Sequence, residues 1–255
     1  MKKFNVITKL EVKAEKLKEY VIDRLGDNYQ YDDLAPDYCF AIGGDGTLLY
    51  AIHQYIDQLD HVQFIGINAG TLGFFSDYTA NELDQCLDDF MNKEGHIVEY
   101  QLLRCDTNQF ESMYALNEFR VEVLLKTKII DVYINDHYFE TFRGNGLLVC
   151  TQAGSTGYNR SLNGAIIDHG VECIQLNEIA AINRQKFPTC GSPIIFSKDT
   201  KITFKGDFTN ASLIYDLNQI QLLNEDEINI CQSDRTVQVL RYQDVPYLQR
   251  IKTLF

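Results

Sequence analysis

Over the first hundred residues, short apolar runs alternate with stretches of helical periodicity. FNVIT (Phe4 to Thr8), YCFAI (Tyr38 to Ile42) and VQFIGIN (Val62 to Asn68) are compact apolar runs, the pattern of buried strands. Between them, EVKAEKLKEYVIDRL (Glu11 to Leu25) places Val12, Leu17, Tyr20, Val21 and Leu25 near helical spacing, with Gly26 as a stop. TLLYAIHQYI (Thr47 to Ile56) predicts a second helix. Strand, helix, strand, helix, strand implies parallel pairing through crossovers, as in open α/β sheets. TANELDQCLDDFMNK (Thr79 to Lys93) adds an amphipathic helix with Leu83, Leu87 and Phe90 on one face.

After about Tyr100 the period changes from helical to alternating. YALNEFRVEVLL and IIDVYINDHYFETF read as strands, with Asn135-Asp136 as a hairpin turn, and TKITFKGDFTNASLIYDLNQIQLL continues in the same way. VECIQLNEIAAIN (Val171 to Asn183) is expected to be the one helical insert. The predicted fold is therefore α/β plus β-rich: an open parallel α/β domain over residues 1–100, then a β-sandwich-like domain over 101–255. The C-terminal segment is free to return to the first domain. No repeat, low-complexity tract or Pro/Ser-rich linker separates the two.

Composition narrows the classes of partner. The chain has 255 residues, 45% of them hydrophobic, enough for one or two folded domains rather than a disordered chain. A formal charge of −13 works against nucleic-acid backbones and anionic membranes, so an anionic ligand has to be held locally by amides, a few basic residues or a metal. Seven singly spaced cysteines without a C-x-x-C pair suit reduced thiols in a cytoplasm, not a disulfide framework or zinc site. The N-terminus has no continuous apolar core of a secretory signal, and no run approaches bilayer-spanning length.

Two glycine-rich stretches carry candidate chemistry. In FAIGGDGTLLY (Phe40 to Tyr50) a strand runs through Gly43, Gly44, Asp45 and Gly46 into a helix. Such a turn presents free N–H groups to phosphate, and an acid at the carboxyl end of a parallel strand can take a proton from a hydroxyl or hold Mg²⁺. Glycine spacing alone is met equally well by an ordinary βα turn in which Asp45 or Thr47 caps the helix and glycine supplies positive φ. It matches neither G-x-x-x-x-G-K-[ST] nor G-x-G-x-x-G. The second stretch, FRGNGLLVCTQAGSTGYNRSLNGAII (Phe142 to Ile167), offers hydroxyls and amides for ribose and amide recognition, with Tyr158 available to stack or pack on a flat ring. By itself it is equally a β-domain loop with satisfied turns.

Taken together, GGDGTLL (43–49), INAGTLGFF (67–75), ALNE (115–118), FRGNGL (142–147), AGSTGYNRSLNGAII (153–167) and EIAAINRQKFPTCGSPI (178–194) resemble the NAD kinase family, especially its short bacterial members. The resemblance implies phosphoryl transfer from ATP or polyphosphate, with Mg²⁺ or another divalent cation, to the 2′-hydroxyl of the adenosine ribose of NAD. It implies Asp45 as the proton acceptor, with Gly43, Gly44 and Gly46 beside the nucleotide. Asn117 and Glu118 fall to the adenine part of NAD, and Arg143 and Asn145 to the nicotinamide end. Ala153, Thr156, Gly157, Tyr158, Ser161 and Ala180 take dinucleotide-binding positions in an interdomain cleft. A cytoplasmic homo-oligomer, a tetramer, is implied as well, with no protein metal site.

The chain departs from the family pattern at Asn145, where Asp is usual, at Gln152 and Ala153, at Gly157 in place of Ala, and at Leu217 in YDLNQ, where glycine is usual. These departures leave open a non-catalytic NAD(P)-binding homologue. GGDGT alone also occurs in lipid and sugar kinases, and the Asn117-Glu118 pair and the 153–161 loop speak against that reading.

Overall fold

A computed structural model of the chain describes residues 1–8, 12–70, 73–183, 188–223 and 227–252. Glu11, the side chain of Val12 and residues 71–72 and 184–187 of the motif blocks lie outside the described residues. The chain divides into two compact units, Met1–Tyr100 with Arg235–Phe255, and Gln101–Asp234.

The first unit is built on parallel strands. In chain order it contains β1 (Lys3–Thr8), α1 (Val12–Leu25), β2 (Gln30–Tyr31), β3 (Tyr38–Gly43), α2 (Asp45–Gln54), β4 (Gln63–Asn68), β5 (Ser76–Thr79) and α3 (Leu83–Asn92). The sheet runs β2-β1-β3-β4, with β5 also on β4, and every pair is parallel. The three apolar runs become its centre because each is buried along nearly its whole length. α1 ends as the sequence predicts, with the Gly26 N–H closing on the Ile22 carbonyl at 2.9 Å. Leu83, Leu87 and Phe90 of α3 face Phe4, Val6, Phe40, Ile42, Ile65 and Ile67 in one apolar cluster. The periodicity does not reveal β5, whose sequence SDYT is largely polar. It pairs because Gly66 leaves room: a Cβ there would lie 2.9 Å from the Phe75 carbonyl oxygen.

The second unit is an antiparallel sandwich. β6 (His96–Thr107) leads into it, followed by β7 (Met113–Ala115), β8 (Glu118–Glu122), β9 (Lys128–Ile134), β10 (His137–Gly144), β11 (Gly146–Thr151), the short α4 (Tyr158–Ser161), β12 (Cys173–Ile179), β13 (Ile194–Ser197), β14 (Ile202–Gly206), β15 (Ser212–Tyr215) and β16 (Asn218–Gln221). One layer runs β13-β12-β11-β8-β15-β16, and β10-β9-β14 belong to the other. Phe119, Val121, Leu147 and Val149 of the first layer pack with Ile130, Val132, Phe142, Ile202 and Phe204 of the second. Asn135 and Asp136 take φ of 49° and 64°, the left-handed pair of a tight hairpin turn, and bring His137 opposite Ile134.

The expected helix over 171–183 is instead strand β12, paired antiparallel to both β11 and β13. CIQLNEI is buried almost throughout, so it has no solvent face to set a period. Its polar residues are internal: the wholly buried Gln175 accepts the Ala165 N–H at 2.8 Å and donates to the Ala165 carbonyl at 3.2 Å.

β17 (Glu227–Arg241) starts in the second unit, antiparallel to β14, and ends in the first, where Gln238 lies opposite Gln63 of parallel β4. α5 (Tyr247–Lys252) follows. In the first unit these segments place two buried arginines around one buried carboxylate. Asp77 Oδ1 accepts Arg241 Nη1 at 2.8 Å and Arg250 Nη2 at 2.5 Å, with the side chains of all three residues 4–5% exposed. Burial and the charge of Arg241 pull the Arg250 guanidinium below its usual value, with Asp77 opposing them. Removing the shared anion leaves two buried cations uncompensated. Asp77→Ala is expected to lower unfolding stability by about 3–5 kcal/mol, read by urea denaturation.

Candidate active site

In the first unit, Gly43 ends β3, and Gly44 is the extended N-cap of α2 with φ −87° and ψ −176°. The glycines are not there for positive φ. Gly43 is required by Thr47, whose Oγ1 would lie 2.0 Å from an added Cβ, whereas Cβ atoms on Gly44 and Gly46 would meet nothing within 4 Å. That open space lets a ligand approach the backbone at the start of α2. No side chain caps this helix, and the Thr47 hydroxyl is buried without a hydrogen-bond partner. The capped turn that glycine spacing alone left open is therefore not the one formed here.

Asp45 turns away from its own helix. Its Oδ2 accepts the Phe74 N–H at 3.1 Å and its Oδ1 the Phe75 N–H at 3.3 Å. A larger residue at position 73 would displace this carboxylate, because a Cβ would lie 2.6 Å from Asp45 Oδ1 and 2.5 Å from Asn68 Nδ2. Two consecutive amides thus fix the plane of the carboxylate beside the open glycine turn. That suits orienting a hydroxyl.

All the other predicted site residues lie in the second unit, where most of them form two groups. In the first group, Asp216 stands at the β15–β16 turn with φ 47°, and its carboxylate accepts the N–H groups of Leu116 at 2.8 Å and Asn117 at 2.7 Å. Thr151 donates its hydroxyl to the Leu116 carbonyl at 2.6 Å and its N–H to the Asn117 carbonyl at 2.9 Å. The following turn, Ala153–Thr156, packs so tightly that a Cβ on Gly154 would lie 2.0 Å from the Asn117 oxygen. A Cβ on Gly157 would lie 3.3 Å from Glu118 Oε2 and 3.6 Å from Asn117 Nδ2, so Asn117, Glu118, Ala153, Thr156 and Gly157 are brought together.

Glu118 is 7% exposed, and its Oε2 has no hydrogen-bond partner. Burial, and then the Asp216 charge, push its carboxyl up to about 7, with Arg120 acting the other way. A neutral carboxyl near pH 7 can donate as well as accept. Tyr158 is less free than the sequence suggests: the Arg120 guanidinium lies 3.9 Å from its ring centroid, and the ring packs on the Leu148, Cys150 and Ile179 cluster. Ser161 ends α4 on the exposed surface.

The second group joins the ends of β10, β11 and β12. Asn145 donates its N–H to the Ile179 carbonyl at 3.0 Å and its Nδ2 to the Val123 carbonyl at 3.1 Å. The Arg143 carbonyl accepts the Ile182 N–H at 2.7 Å, and Ala180, at φ 48°, directs its carbonyl towards Gly144. Asn145 is thus a backbone clamp, a role that uses its amide donor. Among the described residues no group of three His, Cys, Asp or Glu is placed to hold a metal ion, and no helix is long and apolar enough to cross a membrane.

The ATP-NAD kinase N-terminal domain model matches residues 4–95, and the ATP-NAD kinase C-terminal domain model matches residues 116–242. The chain belongs to the NAD kinase family. A NAD kinase of Leuconostoc mesenteroides subsp. mesenteroides is 35% identical over 242 residues, covering 93% of this chain and 92% of that protein. The fold is shared with a yeast NADH kinase crystallised with NADH, with a TM-score of 0.87 and 16% identity over 100% of this chain and 87% of that one. It is shared too with an NAD kinase from Archaeoglobus fulgidus crystallised with ATP, with a TM-score of 0.78 and 20% identity over 99% and 98% of the two chains.

In this NAD kinase family member, three features of the site escape motif reading. Asp216 sits in YDLNQ, a stretch that stands out in the sequence only for the Leu217 departure. Arg120 carries no motif signal, and the amides of Phe74 and Phe75 are backbone groups. The positive φ of Asp216 is the one feature with a sequence cue, an Asp-x-Asn turn between alternating strands.

Gly154→Ala is expected to cost about 1–3 kcal/mol of stability by overpacking against Asn117 and to weaken NAD binding, measured by urea unfolding and NAD titration. Glu118 gives a pH signature. Its folded value of about 7 stands above the ordinary glutamate value of 4.5, so the folded state holds an extra proton between the two and stability falls as pH rises through that window. Glu118→Gln should remove its share of this slope, leaving that of Glu140, which burial and Glu178 also push up to about 7, and gain up to about 3 kcal/mol over wild type at pH 8, read from unfolding curves at pH 4.5 to 8.

Proposed function

We propose that this NAD kinase transfers the γ-phosphoryl group of ATP, or a terminal phosphoryl of polyphosphate, to the 2′-hydroxyl of the adenosine ribose of NAD, with Asp45 accepting the hydroxyl proton. The observation that carries the reading is the Asp45 carboxylate, held by the Phe74 and Phe75 amides next to the uncapped start of α2. The new bond forms between the ribose 2′-oxygen and the γ-phosphorus, the bond from that phosphorus to the bridging oxygen breaks, and ADP leaves with the electron pair. Phosphoryl transfer has a loose transition state, so alignment and charge stabilisation supply most of the catalysis. A carboxylate is a weak base towards a sugar hydroxyl, so Asp45 mainly orients the nucleophile and takes the proton late.

A divalent cation such as Mg²⁺, bound to the phosphates of the donor, would neutralise charge there. Asp45 would be the one carboxylate beside such a cation, whose ligands would be mainly phosphate and water. The α2 N-terminus, with Gly43, Gly44 and Gly46, receives phosphate. Asn117, Glu118, Ala153, Thr156, Gly157, Tyr158 and Ser161 recognise the adenosine part of NAD, and Arg143, Asn145 and Ala180 its nicotinamide end. The family resemblance supports a homotetramer. The buried thiols of Cys39, Cys86, Cys150 and Cys173, outside any disulfide, support a reducing cytoplasm.

Purified protein with Mg²⁺, ATP and NAD is expected to form NADP, followed by coupled assay. Asp45→Asn should abolish turnover while leaving NAD binding in place. NAD binding without NADP formation, with either ATP or polyphosphate, would instead identify a non-catalytic dinucleotide-binding protein. Asn145→Asp is expected to alter NAD affinity or rate. Identical constants for the two proteins would make the Asn145 departure neutral.

A further inference from the structure

Arg250 of α5 reaches the same short segment that holds Asp45. Its Nη1 donates to the carbonyls of Phe74, at 3.2 Å, and Ser76, at 2.7 Å, while Nη2 meets Asp77. Tyr247, one turn earlier on α5, sets its ring at 84° to that of Phe74 with centroids 5.7 Å apart. The Phe74 carbonyl and the Phe75 N–H belong to one planar peptide unit. Its oxygen is held by Arg250, and its N–H donates to Asp45 Oδ1. A rotation of that plane that frees one end misaligns the other. Arg241 anchors the far side of the cluster, bonding Asp77 and the Tyr100 hydroxyl. Apolar packing would serve stability at least as well as two buried arginines on one carboxylate. What the guanidinium adds is a set of directed bonds to three acceptors within four residues.

We propose that Arg250 is a positioning residue for phosphoryl transfer, orienting the Asp45 carboxylate through the Phe74–Phe75 peptide plane. The inference rests on the reading of Asp45 as proton acceptor. The proposal places only Asp45 of this arrangement on substrate. Its signature is therefore on turnover and not on affinity.

The test compares wild type, Arg250→Ala, Arg250→Lys and Asp45→Asn in the intact chain, measuring kcat, KM for NAD and ATP, NAD binding and thermal unfolding. A lysine ammonium keeps the buried charge but cannot span the three acceptors, so Arg250→Lys should lower kcat by about 10- to 100-fold with KM and NAD affinity within about threefold of wild type. Arg250→Ala should fall further, so that lysine gives partial rescue. If the alanine protein does not fold, the lysine protein decides on the same criteria. Folded Arg250 variants with wild-type kcat overturn the proposal, as does a fall in kcat matched by an equal loss of NAD affinity. A fully active Asp45→Asn overturns the Asp45 reading itself. An inactive Asp45→Asn beside an unimpaired Arg250→Lys overturns only the role of Arg250.

Discussion

A buried or half-buried backbone N–H that lies outside a helix or sheet ladder has to find an acceptor, and in this protein carboxylates meet that demand next to both sets of candidate ligand-binding residues. Asp45 takes the amides of Phe74 and Phe75, and Asp216 takes those of Leu116 and Asn117. The bonds run in both directions. The amides gain partners that no strand supplies, and each carboxylate gains a fixed plane, because two adjacent N–H groups leave little rotation. Charge-assisted bonds of this kind are stronger than neutral ones, which suits segments too irregular to be held by ladders. The remaining features of the site follow from keeping those pairs in register. Gly73 is small because the Asp45 carboxylate is close, and Gly154 is small because Asn117 is.

The same logic separates the roles of polar residues in the interior. Gln175 and Asn177 are satisfied by neighbouring backbone and side chains and serve the fold. Glu118 and Thr47 each keep an atom without a partner. An unmet polar atom is a penalty to stability that a ligand can relieve, and of the eight buried side chains that keep one among the described residues, these two lie at or beside candidate ligand-binding residues.

β1, β3 and β4 of the first unit were legible because each is an uninterrupted apolar run, and α3 because its apolar face recurs at helical spacing. β12 was misread for a related reason: a strand buried on both faces and hydrogen-bonded on both edges has no alternation to detect, and its glutamine and asparagine mimic a polar helix face. At the site, GGDGT and AGSTGY were visible as local glycine chemistry. The partners that give them geometry were not, because they are amides some thirty residues from Asp45, an aspartate about a hundred from Asn117, and an arginine in YLQRIK that reads as the solvated end of a short helix. Motif spacing records what a turn can do; it carries no information on which distant carbonyl or carboxylate holds the turn still.

β17 adds an order in time. Its Gln238 and Val239 join the parallel sheet beside β4, yet they are made after the whole of the second unit. During vectorial synthesis the first unit, although it holds the first hundred residues, emerges with one strand and two buried arginines missing. It therefore cannot close before the second unit has left the ribosome. The half of the protein that is begun first is finished last, so the GGDGT turn gains its final surroundings only once the second unit has been made.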